Sequence, residues 1–136
     1  MIIADTGFWL ALANTNDSWH ARALSSFNSL DDSLITTWPV MTETCHLLLH
    51  RLGSFALLSF VKSFKEGAFE IYNLTEPDSA ELLSLMRKYR ELPMDLADAS
   101  LVILANHLGH GHILSTDERD FKTYKWKRRK PFKNLL

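Results

Sequence analysis

The chain has one cysteine, Cys45, and so no disulfide framework; a lone thiol suits a reducing cytosol. It has no internal repeat, no low-complexity stretch and no linker of the Gly/Ser type, so its 136 residues read as one domain. No apolar run reaches the roughly 18–20 residues that a membrane span needs. The opening stretch, MIIADTGFWLALANTND, lacks a basic start and already carries Asp5, so it does not read as a signal peptide. Together these absences predict a cytoplasmic protein that stays off the membrane. What remains is ordinary for a globular domain: 46 % apolar and 23 % charged residues. At this length roughly two-thirds of the unfolded surface can be buried without covalent staples.

The closing stretch is empty of acids. Residues 122–136 hold seven of the fifteen Lys and Arg but none of the sixteen Asp and Glu, so a segment at +7 follows a body at −8 and the net charge of −1 hides both. Two readings stand side by side. One is a solvated tail that keeps the chain soluble. The other is a phosphate-contacting arm in which Lys127, Arg128, Arg129 and Lys130 meet a substrate. Trp126 and Phe132 interleave the charges, where bases could stack on them.

Hydrophobic patterning gives alternating strands and helices. Residues 2–5 (IIAD) read as a buried strand and 7–14 as a helix. Ser18 is the expected cap of a helix over 19–29. Residues 34–37 (LITT) form a second strand, and Pro39 fits the first turn of a helix running to about Leu52. After Gly53 comes a further helix, 54–66, then a third strand, 69–74. Residues 76–91 make an amphipathic helix with Leu82, Leu83, Leu85, Met86 and Tyr89 as its apolar stripe, and Pro93 breaks it. The helix over 95–108 is apolar on nearly every face. Residues 112–116 (HILST) form a fourth strand, and a helical turn over 117–124 leads into the basic segment. The expected architecture is α/β, a three-layer α/β/α domain whose central, mainly parallel sheet has four to five strands. Ligands of such folds bind outside the carboxyl ends of the strands.

Four acids fall on that edge. Asp5 ends the first strand, and Asp117 directly follows the fourth. Glu43 lies in the opening turns of the helix after the second strand. Asp98 sits near the start of a helix that must run back antiparallel to the fourth strand, which returns it to the same edge. Each acid also has a structural explanation. Asp5 could mark a strand end, Glu43 could suit the helix dipole, Asp95 and Asp98 could form a capping box, and Asp117 could cap the last helix. The convergence of all four favours a shared pocket. Asp98, within ADASLVILA, is the most telling, because an unpaired acid on an apolar helix is costly. Carboxylates sharing a pocket repel, and a hard cation such as Mg²⁺ or Mn²⁺ removes the conflict.

Four short motifs in this order and spacing strengthen that reading: I-I-A-D-T at 2–6, W-P-V-M-T-E-T at 38–44, D-L-A-D-A-S at 95–100 and L-S-T-D-E-R-D-F at 114–121. Through them the chain resembles, over nearly its full length, the PIN-domain family and within it the small VapC-like toxins. The resemblance implies a metal-dependent endoribonuclease, with Asp5, Glu43, Asp98 and Asp117 as catalytic and metal-binding acids and Mg²⁺ or Mn²⁺ as cofactor. It implies auxiliary roles for Thr6, Thr116 and Asp120, with Asp120 able to share the place of Asp117; Asp95 is assigned mainly to capping. It also implies an RNA substrate, a small antitoxin protein as partner, and a homodimer. The basic end, KWKRRKPFK, departs from the family pattern.

Other chemistries fare less well. Glu43, His46 and His50 have a spacing that would put all three on one helix face as zinc ligands, but the H-E-x-x-H of a metalloprotease is missing. An aspartyl-phosphate enzyme usually needs a second acid two residues after the first, where Gly7 stands. The alternative from a different class is a PIN-like module that binds RNA or a protein with little or no cleavage.

Overall fold

The computed structural model describes residues 1–136. Its strands are β1 (Ile2–Ala4), β2 (Leu34–Thr37), β3 (Glu70–Tyr72), β4 (His112–Leu114), β5 (Lys125–Trp126), β6 (Lys130–Pro131) and β7 (Lys133–Asn134). Its helices are α1 (Thr6–Ala13), α2 (His20–Ser29), α3 (Trp38–Leu52), α4 (Ser54–Lys65), α5 (Ser79–Lys88), α6 (Leu96–Leu108) and α7 (Glu118–Thr123). Five strands form one sheet in the order β3-β2-β1-β4-β7, with every neighbouring pair parallel. Successive residues of a strand face opposite ways, yet all of β1 and all of β2 are buried, so helices cover both faces of the sheet centre. This is the expected α/β/α sandwich, and no helix is long and apolar enough to cross a membrane.

Polar groups in the core set the register of α6 on the sheet. Thr36 Oγ1 donates to the Ala4 carbonyl at 2.8 Å. The Thr37 and Ser100 hydroxyls lie 2.6 Å apart, and Ser100 Oγ donates to the Ala97 carbonyl at 2.6 Å, so Thr37 is the donor to Ser100. Buried hydroxyls need such partners. These pin the first turns of α6 to the carboxyl end of β2, two residues from Asp98.

Several boundaries differ from the sequence expectation. Ser18 does not cap α2: the helix begins at His20 with Trp19 at its N-cap and no side chain capping it, and Asp17 Oδ1 instead accepts from Trp19 N at 2.8 Å in the turn before it. The helix expected over 76–91 opens as a 3-10 turn, Glu76–Asp78, closed by a Thr75–Asp78 capping box, and α5 ends at Lys88. In its stripe Leu85 and Tyr89 are buried, but Leu83 is 51 % exposed, because the stripe is wider than the face that α6 covers.

The largest difference is at the basic end. It is folded, not a free tail. Strands β5 and β6 pair antiparallel through Trp126↔Lys130, and β7 joins the main sheet beside β4. The indole of Trp126 rests against Gly111, where any Cβ would lie 2.5 Å from Nε1. Trp126 is buried, and the Phe132 ring meets Phe121 at 5.3 Å. Both aromatics anchor the segment inward and are not free to stack on bases.

Candidate active site

At the carboxyl edge lies a cleft of ≈ 350 Å³ lined by Asp5, Glu43, Asp95, Asp98, Asp117 and Asp120, together with Thr6, Gly7, Arg51 and Thr116. All four acids expected to meet there do line it, as do the auxiliary residues. The cleft opens where β1 and β4 part company in chain order, the switch point of a parallel sheet.

Asp5 follows β1 immediately and caps α1. Its Oδ1 accepts from Thr6 N at 2.7 Å, and its Oδ2 accepts from Ser115 Oγ at 3.0 Å. Ser115 Oγ also accepts from Asp117 N at 3.0 Å, so one hydroxyl ties the ends of β1 and β4 together. Gly7 makes the approach possible: a Cβ there would stand 1.9 Å from Thr116 Oγ1. Asp117 caps α7 through Asp120 N at 3.1 Å, while Asp120 is paired with Arg119 at 3.1 Å. Asp95 and Asp98 do form a capping box, with Asp98 N donating to Asp95 Oδ1 at 2.9 Å. Asp98 Oδ2 additionally accepts from Tyr124 Oη at 3.0 Å. The structural roles and the shared pocket therefore coexist. Asp98 is half-buried at the mouth of the cleft, not sunk in the apolar part of α6.

The carboxyls are held away from water and near one another, and their protonation reflects it. Burial raises Asp5 to about 6, with Asp117 and Asp95 adding repulsion. Burial raises Glu43 to about 7, helped by the charges of Asp95 and Asp5. Asp98 rises to about 7 through burial and then the same two neighbours, against the opposing Tyr124 hydrogen bond. Asp117 is pushed up by burial as well. The Tyr124 hydroxyl is driven well above its ordinary value, first by burial and then by Asp98, so it stays a donor.

The donor set fits a hard divalent ion. It is all oxygen, its acids are destabilised as anions, and Thr6 Oγ1, on the cleft wall, is buried without a hydrogen-bond partner. No three Asp, Glu, His or Cys side chains close into a ready-made cage. Mg²⁺ does not require such a cage, because it keeps several waters, through which further carboxylates can reach it.

Three residues of the site are absent from the sequence reading. Ser115 and Tyr124 orient carboxylates, and nothing in their local pattern marks them. Arg51 is the one cation lining the cleft. It was legible in principle, because Glu43, Leu47 and Arg51 recur every four residues along one side of α3. Lys127, Arg128, Arg129 and Lys130 do not line the cleft. The backbone N–H of Lys127 donates to Asn106 Oδ1. Asn106 lies eight residues beyond Asp98, about 12 Å along α6. The histidine alternative separates: His46 and His50 are exposed, their rings 4.3 Å apart, while Glu43 turns into the cleft without them.

Comparisons with known proteins bear on the family and the fold. Ribonuclease VapC26 of Mycobacterium tuberculosis is 28 % identical over 120 residues, covering 88 % of this chain and 89 % of that protein. The crystal structure of VapC20 from the same organism, described as a Sarcin-Ricin loop cleaving toxin, superposes with a TM-score of 0.80 at 22 % identity, over 88 % of this chain and 92 % of the other. The family model described as PIN domain matches residues 2–127. The chain belongs to the PIN-domain family.

Proposed function

We propose that the protein is a metal-dependent endoribonuclease that hydrolyses RNA phosphodiester bonds, and that it is the toxin of a toxin–antitoxin pair. The observation that carries the reading is the cleft of carboxyls with raised pKa values and an orphaned Thr6 hydroxyl at the switch point of the sheet. The names of the relatives, a ribonuclease and a Sarcin-Ricin loop cleaving toxin, support this substrate class. Asp5, Glu43, Asp98 and Asp117 would hold Mg²⁺ or Mn²⁺, with Asp120 backing Asp117. When bound, the ion polarises a phosphoryl oxygen and acidifies a water for attack on phosphorus. Ser115 and the Thr6 N–H fix the two oxygens of Asp5, Tyr124 fixes one oxygen of Asp98, and Arg51 holds a phosphate at the rim that the acids would otherwise repel.

A small antitoxin protein and a second copy of the chain are the proposed partners. Apolar surface for protein contact supports this: no residue of α4 is buried, Phe55 is 85 % exposed, and a cleft among Trp9, Phe27, Phe55 and Phe60 is open to solvent.

The test is cleavage of single-stranded RNA with Mn²⁺ against EDTA. Cleavage is expected only with the metal, and Asp98→Asn is expected to lower it by about 100-fold or more, as for loss of one preorganised electrostatic group. Asp98→Asn cutting as well as the parent would remove Asp98 from the site. Parent protein that binds RNA but never cuts it would favour the binding-module reading.

A further inference from the structure

The seven cations of the C-terminal segment are carried on a folded scaffold. Lys127 and Arg128 both have positive φ, 44° and 68°, a left-handed conformation that side-chain-bearing residues seldom adopt. The tip so formed is pinned. Lys127 N donates to Asn106, and Trp126 Nε1 donates to the Pro131 carbonyl at 3.0 Å. A cation from another element joins it: Lys88 Nζ, at the end of α5, donates to the Arg128 carbonyl at 3.5 Å. The ammonium groups of Lys127 and Lys130 lie over the same Trp126 ring, 5.8 and 5.1 Å from its centre. None of these groups takes part in an ion pair, although the chain has sixteen acids.

Gathered like charges on a rigid tip are relieved by a polyanion with regularly spaced charges. Two observations favour RNA over an acidic protein. The aromatics of the segment face inward, so the tip lacks the apolar centre on which protein interfaces depend. The tip is also continuous with the cleft, since Tyr124, bonded to Asp98, directly precedes β5. The PIN-domain match ends at residue 127, so most of the tip lies outside it.

We propose that Lys88, Lys127, Arg128, Arg129 and Lys130 form a second RNA-phosphate site, about 12 Å along α6 from the acidic cleft, that grips the substrate strand away from the cut. The proposal rests on the reading of RNA as the substrate.

The full-length protein in EDTA, titrated into a fluorescent single-stranded RNA of about 20 nucleotides over a range of salt, tests the site by anisotropy. For the triple variant Lys127→Gln/Arg129→Gln/Lys130→Gln, affinity at low salt is expected to fall about tenfold or more. The slope of log K against log salt is expected to flatten by about 2, since each phosphate no longer neutralised accounts for roughly 0.7. Lys127→Arg/Lys130→Arg is expected to bind as the parent does. An unchanged slope in the triple variant overturns the proposal, as does equal loss in the charge-preserving pair. Competition by poly-glutamate as strong as by RNA at equal charge overturns the assignment to RNA. A parent that fails to cut RNA with Mn²⁺ sinks the nuclease reading alone; the flattened slope would still support the second site.

Discussion

Helix α6 carries a cluster of one charge sign at each end, and the two clusters are built differently. At its N-terminal end Asp5, Glu43, Asp98 and Asp117 come from four separated segments and are wholly or partly withdrawn from water, and Asp5, Glu43 and Asp98 respond by holding protons well above the usual carboxylate range. At its far end the cations come mainly from one contiguous hairpin and stay in solvent. Burial makes the first cluster favour neutralisation, by protons or by a compact counter-ion, because desolvated like charges interact strongly at short range. Exposure leaves the second to salt, so only a ligand that brings many phosphates together can displace the ions already there. One end is suited to a metal, the other to a backbone.

Asp5→Asn should separate the two ends most sharply. Removing the most buried acid is expected to lower metal-dependent cleavage by about 100-fold or more, while RNA binding in EDTA stays within about twofold of the parent. A matched loss of binding would mean that the cleft and the hairpin do not act separately.

Arg51→Gln probes the one cation on the acidic side. With a charged hydrogen bond to phosphate removed, KM for RNA is expected to rise about tenfold with kcat little changed. A fall in kcat at constant KM would place Arg51 at the reacting phosphate rather than at the rim.

Next in size is the stability of the acid cluster, read by thermal melting. Unfolded Asp and Glu titrate near 4, whereas Asp5, Glu43 and Asp98 in the folded chain titrate near 6 to 7. Between those values the folded state binds more protons than the unfolded state. Stability from this cluster is therefore present at low pH and is lost as pH rises through the folded values. In EDTA the midpoint is expected to fall from pH 5 to pH 8, and millimolar Mn²⁺ to restore a few degrees at pH 8 but little at pH 5. Equal Mn²⁺ effects at both pH values would argue against carboxylate ligation.

The smallest expected effect belongs to Tyr124→Phe. Loss of the hydroxyl that donates to Asp98 favours the protonated acid. The acid limb of the cleavage profile is expected to move up by about half a pH unit, measured as kcat/KM against pH.

The fold was largely legible because its strands are short apolar runs and its helices carry clear breaks. Asp5, Glu43, Asp98 and Asp117 could be placed because the direction of each element fixes which edge its ends occupy. The hairpin was not legible: a stretch of seven cations looks like tail, and the inward packing of Trp126 depends on Gly111, fifteen residues away, having no side chain. Ser115 and Tyr124 were missed for a related reason. Their importance lies in partners distant in sequence, and no local periodicity encodes a hydrogen bond across 110 residues, as between Ser115 and Asp5.

The close approach of Gly7 to Thr116 also bears on how such sequences can drift. A methyl group gained at position 7 would occupy the space of the Thr116 hydroxyl, so it is tolerable only where position 116 has become smaller or has swung away. Among sequences descended from a common ancestor with this site, the two positions should change together. A lineage holding bulk at both, without such a swing, would have to part the ends of β1 and β4, and with them Asp5 from Asp117.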